Sequence, residues 1–462
     1  MARLPGMACP RAATSLTRRD MVATATGICA ALLAACRAGG KEPAPTSNAP
    51  QQPAWDKEQT TVQFYIYLSE TQLQTVDDKL LAPWRSEHPN VQIEVVAQPG
   101  ATVEAIQKLT ALLVAGSPPD VLWDLGIARN LAQQQLIQSI DDLVSRDRYD
   151  VTKFNQKTLD FKGRFEGKLH MLPVTYGGNA MGLLYNRQMF QGAGLPEPPD
   201  KWANTWTWAQ WVDNLTRLTK TNSDGTVSQF GLGGYGYFID WPHAYGGQWL
   251  SDDYRTVTCD SPDMIQCYAD FIDLMYKAHV TPQPGEAQQL FGSGSLFLGG
   301  KVAITTMGGW EAGTYTGEPA QGIDWAFMPF PRVKIATPDM STNGLALIKD
   351  AKHREAGWQF LKWLVQDSRL AKYQIRLPTI AADADAWARD VFRDRPNARP
   401  QVLVEGIAAM TPEDNILNHP KWVQLNKDIV SPTWTAMQKG EKGVPEGLRE
   451  MKPALQSVIN AA

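Results

Sequence analysis

"TVQFYIYLSETQLQTVDDKLLAPWRSEHPNVQIEVVA", residues 61–97, changes its hydrophobic period twice. Val62, Phe64 and Ile66 alternate with their neighbours, which is the period of a strand. Leu73, Val76, Leu80 and Trp84 then recur at helical spacing, and Pro83 is expected to kink or reposition that helix. Val91, Ile93 and Val95 alternate again. Further on, "TVEAIQKLTALLVAG" (102–116) reads as a helix closed by Gly116, with Pro118 just beyond it, and "DVLWDLG" (120–126) as a short buried strand. The order β-α-β-α-β predicts an α/β fold with a parallel, doubly wound sheet. Ligands of such sheets sit at the carboxyl ends of the strands. That puts Tyr67, Ser69 and Glu70, after the first strand, and Trp123 and Asp124, at the end of the third, on a candidate rim.

The rest of the chain is too long to join one compact core: 462 residues predict two domains or one bilobal domain. An apolar, glycine-punctuated run from Leu172 to Tyr185 is suited to passing from one lobe to the other. Trp202, Trp206, Trp208 and Trp211 follow in helical segments, and "NSDGTVSQFG" reads as a hairpin around Asp224-Gly225. Ser261 and Pro262 open a helix as N-cap and first helical residue. "DWAFMPFP" and "MSTNGLALIKD" are strand-like, "HREAGWQFLKWLVQDSRLAKYQ" is an amphipathic helix, and a further helix, "EGLREMKPALQSVIN", ends the chain. No internal repeat is present.

With 43% apolar residues, 20% charged residues and a net charge of −4, the composition is that of a soluble globular body and gives no electrostatic reason to expect nucleic acid. Beyond the first forty residues no apolar run is long enough to span a bilayer. The N-terminus has the layout of an export signal: Arg3, Arg11, Arg18 and Arg19 precede "MVATATGICAALLAAC". "LAAC", ending at Cys36, resembles a lipobox, whose cysteine is lipidated after cleavage. "TRRDM" resembles a twin-arginine signal without the usual Phe-Leu-Lys. Residues 1–36 are therefore read as a lipoprotein signal peptide. Residues 37–59, poor in apolar side chains and rich in Pro, Gly, Ala and Gln, are read as a disordered tether reaching roughly 25–30 Å. Of five cysteines, Cys9 and Cys29 fall in the signal and Cys36 takes the lipid. Cys259 and Cys267 remain as either a disulfide or two buried thiols.

Familiar chemical motifs fail in context. "GLGGYG" (231–236) has the dinucleotide-loop spacing, but "YFIDWP" follows it instead of a helix. "GSLFLGGK" (294–301) misses the phosphate-loop spacing by one residue and has Val302 where Ser or Thr is required. The six histidines form no H-x-x-x-H, so no metal is expected, and G-x-S-x-G is absent. Aromatics remain. Sixteen Trp and 13 Tyr include the dense loop "GYGYFIDWPHAYGGQW" (234–249), and "TTMGGW" places Trp310 directly after two glycines. Trp310 is either a core plug or a platform for a ligand whose approach Gly308 and Gly309 leave open. Sugars suit such a platform: their C–H patches meet aromatic faces and their hydroxyls meet polar groups at the edge.

Taken in order, "FYIYLSE", "WRSEHPNVQIEVV", "LLVAGSPPDVLWDLG", "GKLHMLPVTYGGNAMGLLYNRQMFQGAGL", "FGSGSLFLGGKVAITTMGGW", "TNGLALIKDAKHREAGWQFLKWLV" and "RLPT" resemble the family 1 extracellular solute-binding proteins, the sugar-binding lipoprotein components of ABC importers, over about 60–460. The resemblance implies a two-lobed periplasmic-binding-protein fold, type II-like, with several hinge crossings near 174–178, 341–346 and 378–382. It implies one lobe of 60–175 plus 345–377 and another of 178–341 plus 380–462, closing on a ligand. Carried over as ligand-binding positions are Trp310 with Gly309, Trp123, Asp124, Tyr67, Ser69, Glu70, Tyr237, Phe238, Trp241, Asn343 and Trp434. The expected function is capture of a carbohydrate outside the cytoplasm and its delivery to an ABC permease, by a lipid-anchored monomer without cofactor or catalysis. Two alternatives stand: a binder of a glycerol-phosphate ester or other polar solute, and a secreted glycoside hydrolase with Glu70 and Asp124 as its carboxylates.

Overall fold

Val62, Phe64 and Ile66 turn one face of their strand into a core with Trp84, Trp358 and Phe360, while Tyr65 packs on the opposite face with Leu109 and Leu122. The strand is therefore buried on both sides, as a central strand of a helix-covered sheet must be. In this computed structural model residues 54–461 are described except 99–101, 125, 127, 178–180, 234–240, 318–319, 321, 339–340, 411–414 and 420. β1 (Thr60–Ile66) pairs in parallel with β2 (Val91–Ala97) on one side and β3 (Val121–Trp123) on the other. The helical run between β1 and β2 has three pieces: Glu70–Val76, a π-turn at Asp77–Leu81, and Ala82–Glu87. Pro83 stands in the first turn of the last piece. It has no N–H to donate and crowds the carbonyl four residues back, and the widened turn just before it accommodates both effects.

The first sheet is completed from far along the chain. β4 (Met171–Tyr176) forms one edge, and β10 (Thr342–Leu347) inserts between β3 and β4, antiparallel to both, giving the order β2-β1-β3-β10-β4. The all-parallel sheet expected from the β-α-β-α-β run is thus corrected. β10 enters from a second sheet instead of through a crossover helix, so it runs the other way. That second sheet has the order β9-β5-β8-β7-β6, built from β5 (Gly182–Asn186), β6 (Lys220–Thr221), β7 (Val227–Leu232), β8 (Val302–Met307) and β9 (Trp325–Met328). The hairpin expected at Asp224-Gly225 joins β6 to β7: Gly225 has φ +87°, and the Asp224 carboxylate accepts the Thr226 N–H at 2.9 Å.

Each sheet has its own core. The second gathers Trp211, Trp249, Tyr268, Trp325 and Trp387, and the C-terminal helix Val444–Asn460 lays Leu448, Met451, Leu455 and Ile459 onto it. Between the sheets the chain passes in strands that hydrogen-bond side by side. The Tyr176 N–H donates to Leu377 O at 2.8 Å, the Gly177 N–H to Ser341 O at 2.6 Å, and the Thr379 N–H to Val174 O at 3.1 Å. The fold is α/β and two-lobed.

Cys259 and Cys267 are not bonded: both are free and fully buried, and burial pushes each thiol up, that of Cys259 to about 12. Among the described residues no helix is long and apolar enough to cross a membrane.

Candidate functional site

The carboxyl ends of β1 and β3 meet the crossing strands. Gln98, buried just beyond β2, ties them together: its side-chain amide donates to Tyr65 O at 3.2 Å and Trp123 O at 3.0 Å. Next along, the Asp124 N–H donates to Gly344 O at 2.9 Å, and the Asp124 carbonyl accepts from Asn343 Nδ2 at 3.0 Å. Asn343 is half-buried, and its Oδ1 accepts from Arg376 Nη1 at 3.3 Å. The Arg376 guanidinium carbon lies 5.8 Å from the centroid of the Trp123 ring. Burial pulls the Arg376 guanidinium down from 12.5 to about 10, with the Tyr67 phenol opposing, so it stays cationic at neutral pH.

The second sheet reaches the same place through a glycine. A Cβ on Gly309 would come within 2.9 Å of both Gly177 Cα and Tyr176 O. A Cβ on Gly177 would come within 2.3 Å of Asn343 Oδ1. The turn after β8 therefore packs backbone to backbone on the first crossing, with Asn343 and Arg376 directly behind. Trp310 is held at its tip and is 44% exposed, among the most exposed large apolar side chains described. Its indole folds back over Gly308, where a Cβ would meet ring atoms at 2.7 Å. Glu311 secures the turn by accepting the Gly308 N–H at 2.6 Å, and burial raises its carboxyl above the usual range.

This corrects the reading of the two glycines. They do not clear space for a ligand: Gly309 admits the crossing strand and Gly308 admits the Trp310 ring itself. What stays accessible at this turn is the Trp310 indole.

The remaining sequence positions divide. Tyr67 is half-buried on the first core, its carbonyl accepting from Gln374 Nε2 at 3.4 Å. Glu70 is exposed in the first helical turn. Ser69 is occupied as a helix cap: its hydroxyl accepts the Gln72 N–H at 3.3 Å, and Gln72 Oε1 accepts the Ser69 N–H at 2.9 Å. Asp124 and Trp123 are fully buried, so Trp123 offers no face for stacking and instead backs Arg376. Trp241 is a core residue, edge-on to Phe271 at 5.2 Å and Phe330 at 5.1 Å. Trp434 is likewise packed on Tyr268 at 5.4 Å. Tyr237 and Phe238 lie outside the described residues. Arg376 escaped notice in the sequence, although it opens the "RLPT" landmark immediately before the third crossing. Among the described residues no group of His, Cys, Asp and Glu is arranged to hold a metal ion.

The comparisons with known proteins agree with this architecture. A Brucella abortus relative, described as a binding protein, is 23% identical over 312 residues, spanning 63% of this chain and 68% of its own. The ABC substrate-binding protein of Listeria monocytogenes in complex with cycloalternan superposes with a TM-score of 0.72 at 16% identity, covering 87% of this chain and 100% of that one. The maltose/maltodextrin-binding domain of Bdellovibrio bacteriovorus bound to maltotriose gives a TM-score of 0.65 at 18% identity, covering 87% and 100%. At such identities the likeness speaks for the fold alone. A family model matches residues 68–368, well over half of the 462-residue chain. With that match and two sheets joined by crossing strands, the chain belongs to the bacterial extracellular solute-binding proteins.

Proposed function

We propose that this protein captures a carbohydrate outside the cytoplasm, between a lobe of 60–175 plus 345–377 and a lobe of 178–341 plus 380–462. It then presents the closed form to the permease of an ABC importer. The observation that carries this reading is the exposed Trp310 indole, held by Gly309 against the crossing strands beside Asn343 and Arg376. A flat apolar face next to amide and guanidinium donors matches a sugar ring, which has C–H patches on its faces and hydroxyls at its edge. Tyr67 and Glu70 would approach from the first lobe. Ligand shifts the lobes toward closure because only the closed form lets both touch it. Cys36 would carry the lipid that holds a monomeric protein at the membrane through the 37–59 tether, after export by the general or the twin-arginine route.

The test is a thermal-shift panel of mono- and oligosaccharides and glycerophosphodiesters, followed by calorimetry on the hits. At a hundredfold excess over Kd a bound ligand should add about 2.7 kcal/mol of stability. A panel in which no sugar raises the melting temperature would overturn the carbohydrate reading. The hydrolase alternative predicts that a bound oligosaccharide is cut on long incubation. The present reading predicts that it is recovered intact.

A further inference from the structure

Most other half-buried arginines among the described residues are met by acids or by several carbonyls; Arg129, with one carbonyl at 3.3 Å and the rings of Phe165 and Tyr254, is an exception. Arg187 pairs with Glu197 and Asp324, Arg399 with Glu197, and Arg354 with Asp142, while Arg395 donates to the carbonyls of Ala320 and Ile323. Arg376 differs. It makes no ion pair among the described residues, and its one protein acceptor is Asn343 Oδ1, at 3.3 Å from Nη1. A guanidinium carries five N–H donors in a planar fork suited to carboxylate and phosphate. Here most of that fork is unanswered among the described residues. Further donors stand close by: the Asn343 amide nitrogen donates to Asp124 O while its oxygen turns to Arg376, and the buried Trp123 indole N–H has no partner among the described residues. Among the described residues no acid forms an ion pair with Arg376. Asp124 is fully buried, Glu311 accepts the Gly308 N–H, and Glu70 is exposed on a helix start. A cation left unpaired in a half-buried pocket is costly unless something negative arrives to meet it. Gly177 adds no side chain beside it, since a Cβ there would stand only 3.9 Å from Arg376 Nη1.

We propose that the solute is an anionic carbohydrate, carrying a carboxylate or a phosphate ester, and that Arg376 is the residue that recognises its charge. The inference rests on the carbohydrate reading and sharpens it. The sugar ring lies on Trp310 and its acidic group turns toward the crossing strands, where Arg376 meets it with the free side of its fork.

Calorimetry on the full-length protein with matched pairs tests this. Glucose is set against glucuronate and glucose 6-phosphate, a neutral disaccharide against its uronate-containing counterpart, and glycerol against glycerol 3-phosphate. The expected result is that an acidic member binds at least about tenfold more tightly than its neutral partner, the scale of one charge-assisted contact. The uronate and phosphate arms identify which anion is meant. Arg376→Gln should abolish the preference, so that acidic and neutral members bind with one and the same reduced affinity, while the melting curve of the free protein stays cooperative. Should that variant fail to fold, Arg376→Lys keeps the charge without the fork and should retain the preference at reduced affinity. Neutral sugars binding as tightly as acidic ones, or a folded Arg376→Gln that still prefers the acid, would overturn the inference and leave the carbohydrate reading standing. Binding of neither class would overturn both.

Discussion

At the scale of single residues, "TTMGGW" shows how far a sequence speaks. Trp310 was legible as a candidate platform because a bulky aromatic after two glycines, outside any helical period, has no obvious core to fill. The purpose of the glycines was not legible. Whether a missing side chain makes room for ligand or for the protein's own backbone depends on residues far back in the chain, Tyr176 and Gly177. Trp123, Trp241 and Trp434 were misplaced for a related reason: a tryptophan at a strand end or loop looks the same in sequence whether it faces outward or packs on Phe271 or Tyr268. Arg376 was hidden among 44 lysines and arginines, and what marks it is its place beside the crossing strands, where its fork meets a single side-chain acceptor. Two outcomes follow. Trp310→Ala should weaken ligand binding by about 1–3 kcal/mol in calorimetry. It should barely move the melting temperature, because much of the ring is already in water. Gly309→Ala should do the reverse at first order. Its new methyl meets Met181 Sδ at 2.6 Å and the Gly177 backbone at 2.9 Å, which should cost about 1–3 kcal/mol of stability in denaturant melts.

Elements were read well where their periods are local. The strand-helix-strand run of 61–97, the hairpin at Asp224-Gly225 and the Ser261-Pro262 helix start all stand where alternation, turn chemistry and capping put them. The reversal of β10 was out of reach, because pairing Leu345 with Trp123 spans more than two hundred residues and leaves no trace in either strand's own pattern. "GLGGYG" is instructive in the same way. Its second-lobe strand β7 packs so closely on the helix Trp208–Leu218 that a Cβ on Gly231 would sit 2.4 Å from Leu215 O. The glycine serves helix-on-strand contact. Gly231→Ala should therefore lower the denaturation midpoint, by about 1–3 kcal/mol of stability, and leave ligand affinity per folded molecule unchanged.

For the whole molecule, pH and lobe contact are the accessible readouts. His243, in the short helix Pro242–Tyr245, has its pKa lowered by burial from 6.5 to about 4. The unfolded chain then binds the proton more readily than the folded one. Stability is fully present above pH 6.5 and is lost progressively as the pH falls from there toward 4. Melting temperatures measured across that window should decline, and His243→Gln should flatten the decline. The lobes also touch away from the crossings: the Arg129 guanidinium of the first lies 5.3 Å from the Tyr254 ring of the second. Tyr254→Ala should shift the population toward open forms, seen as a larger radius of gyration in small-angle scattering and a weaker affinity. The insertion of β10 between β3 and β4 bears, finally, on biogenesis. A chain crossing a membrane as an unfolded thread, N-terminus first, delivers β4 long before its ladder partner, β10, has emerged. Through the passage of some 165 residues the first lobe waits with two open β edges, a state prone to wrong pairing with other chains. Under the twin-arginine alternative proposed above, which would rest on Arg18 and Arg19, the finished fold would cross in one step and that interval would not arise.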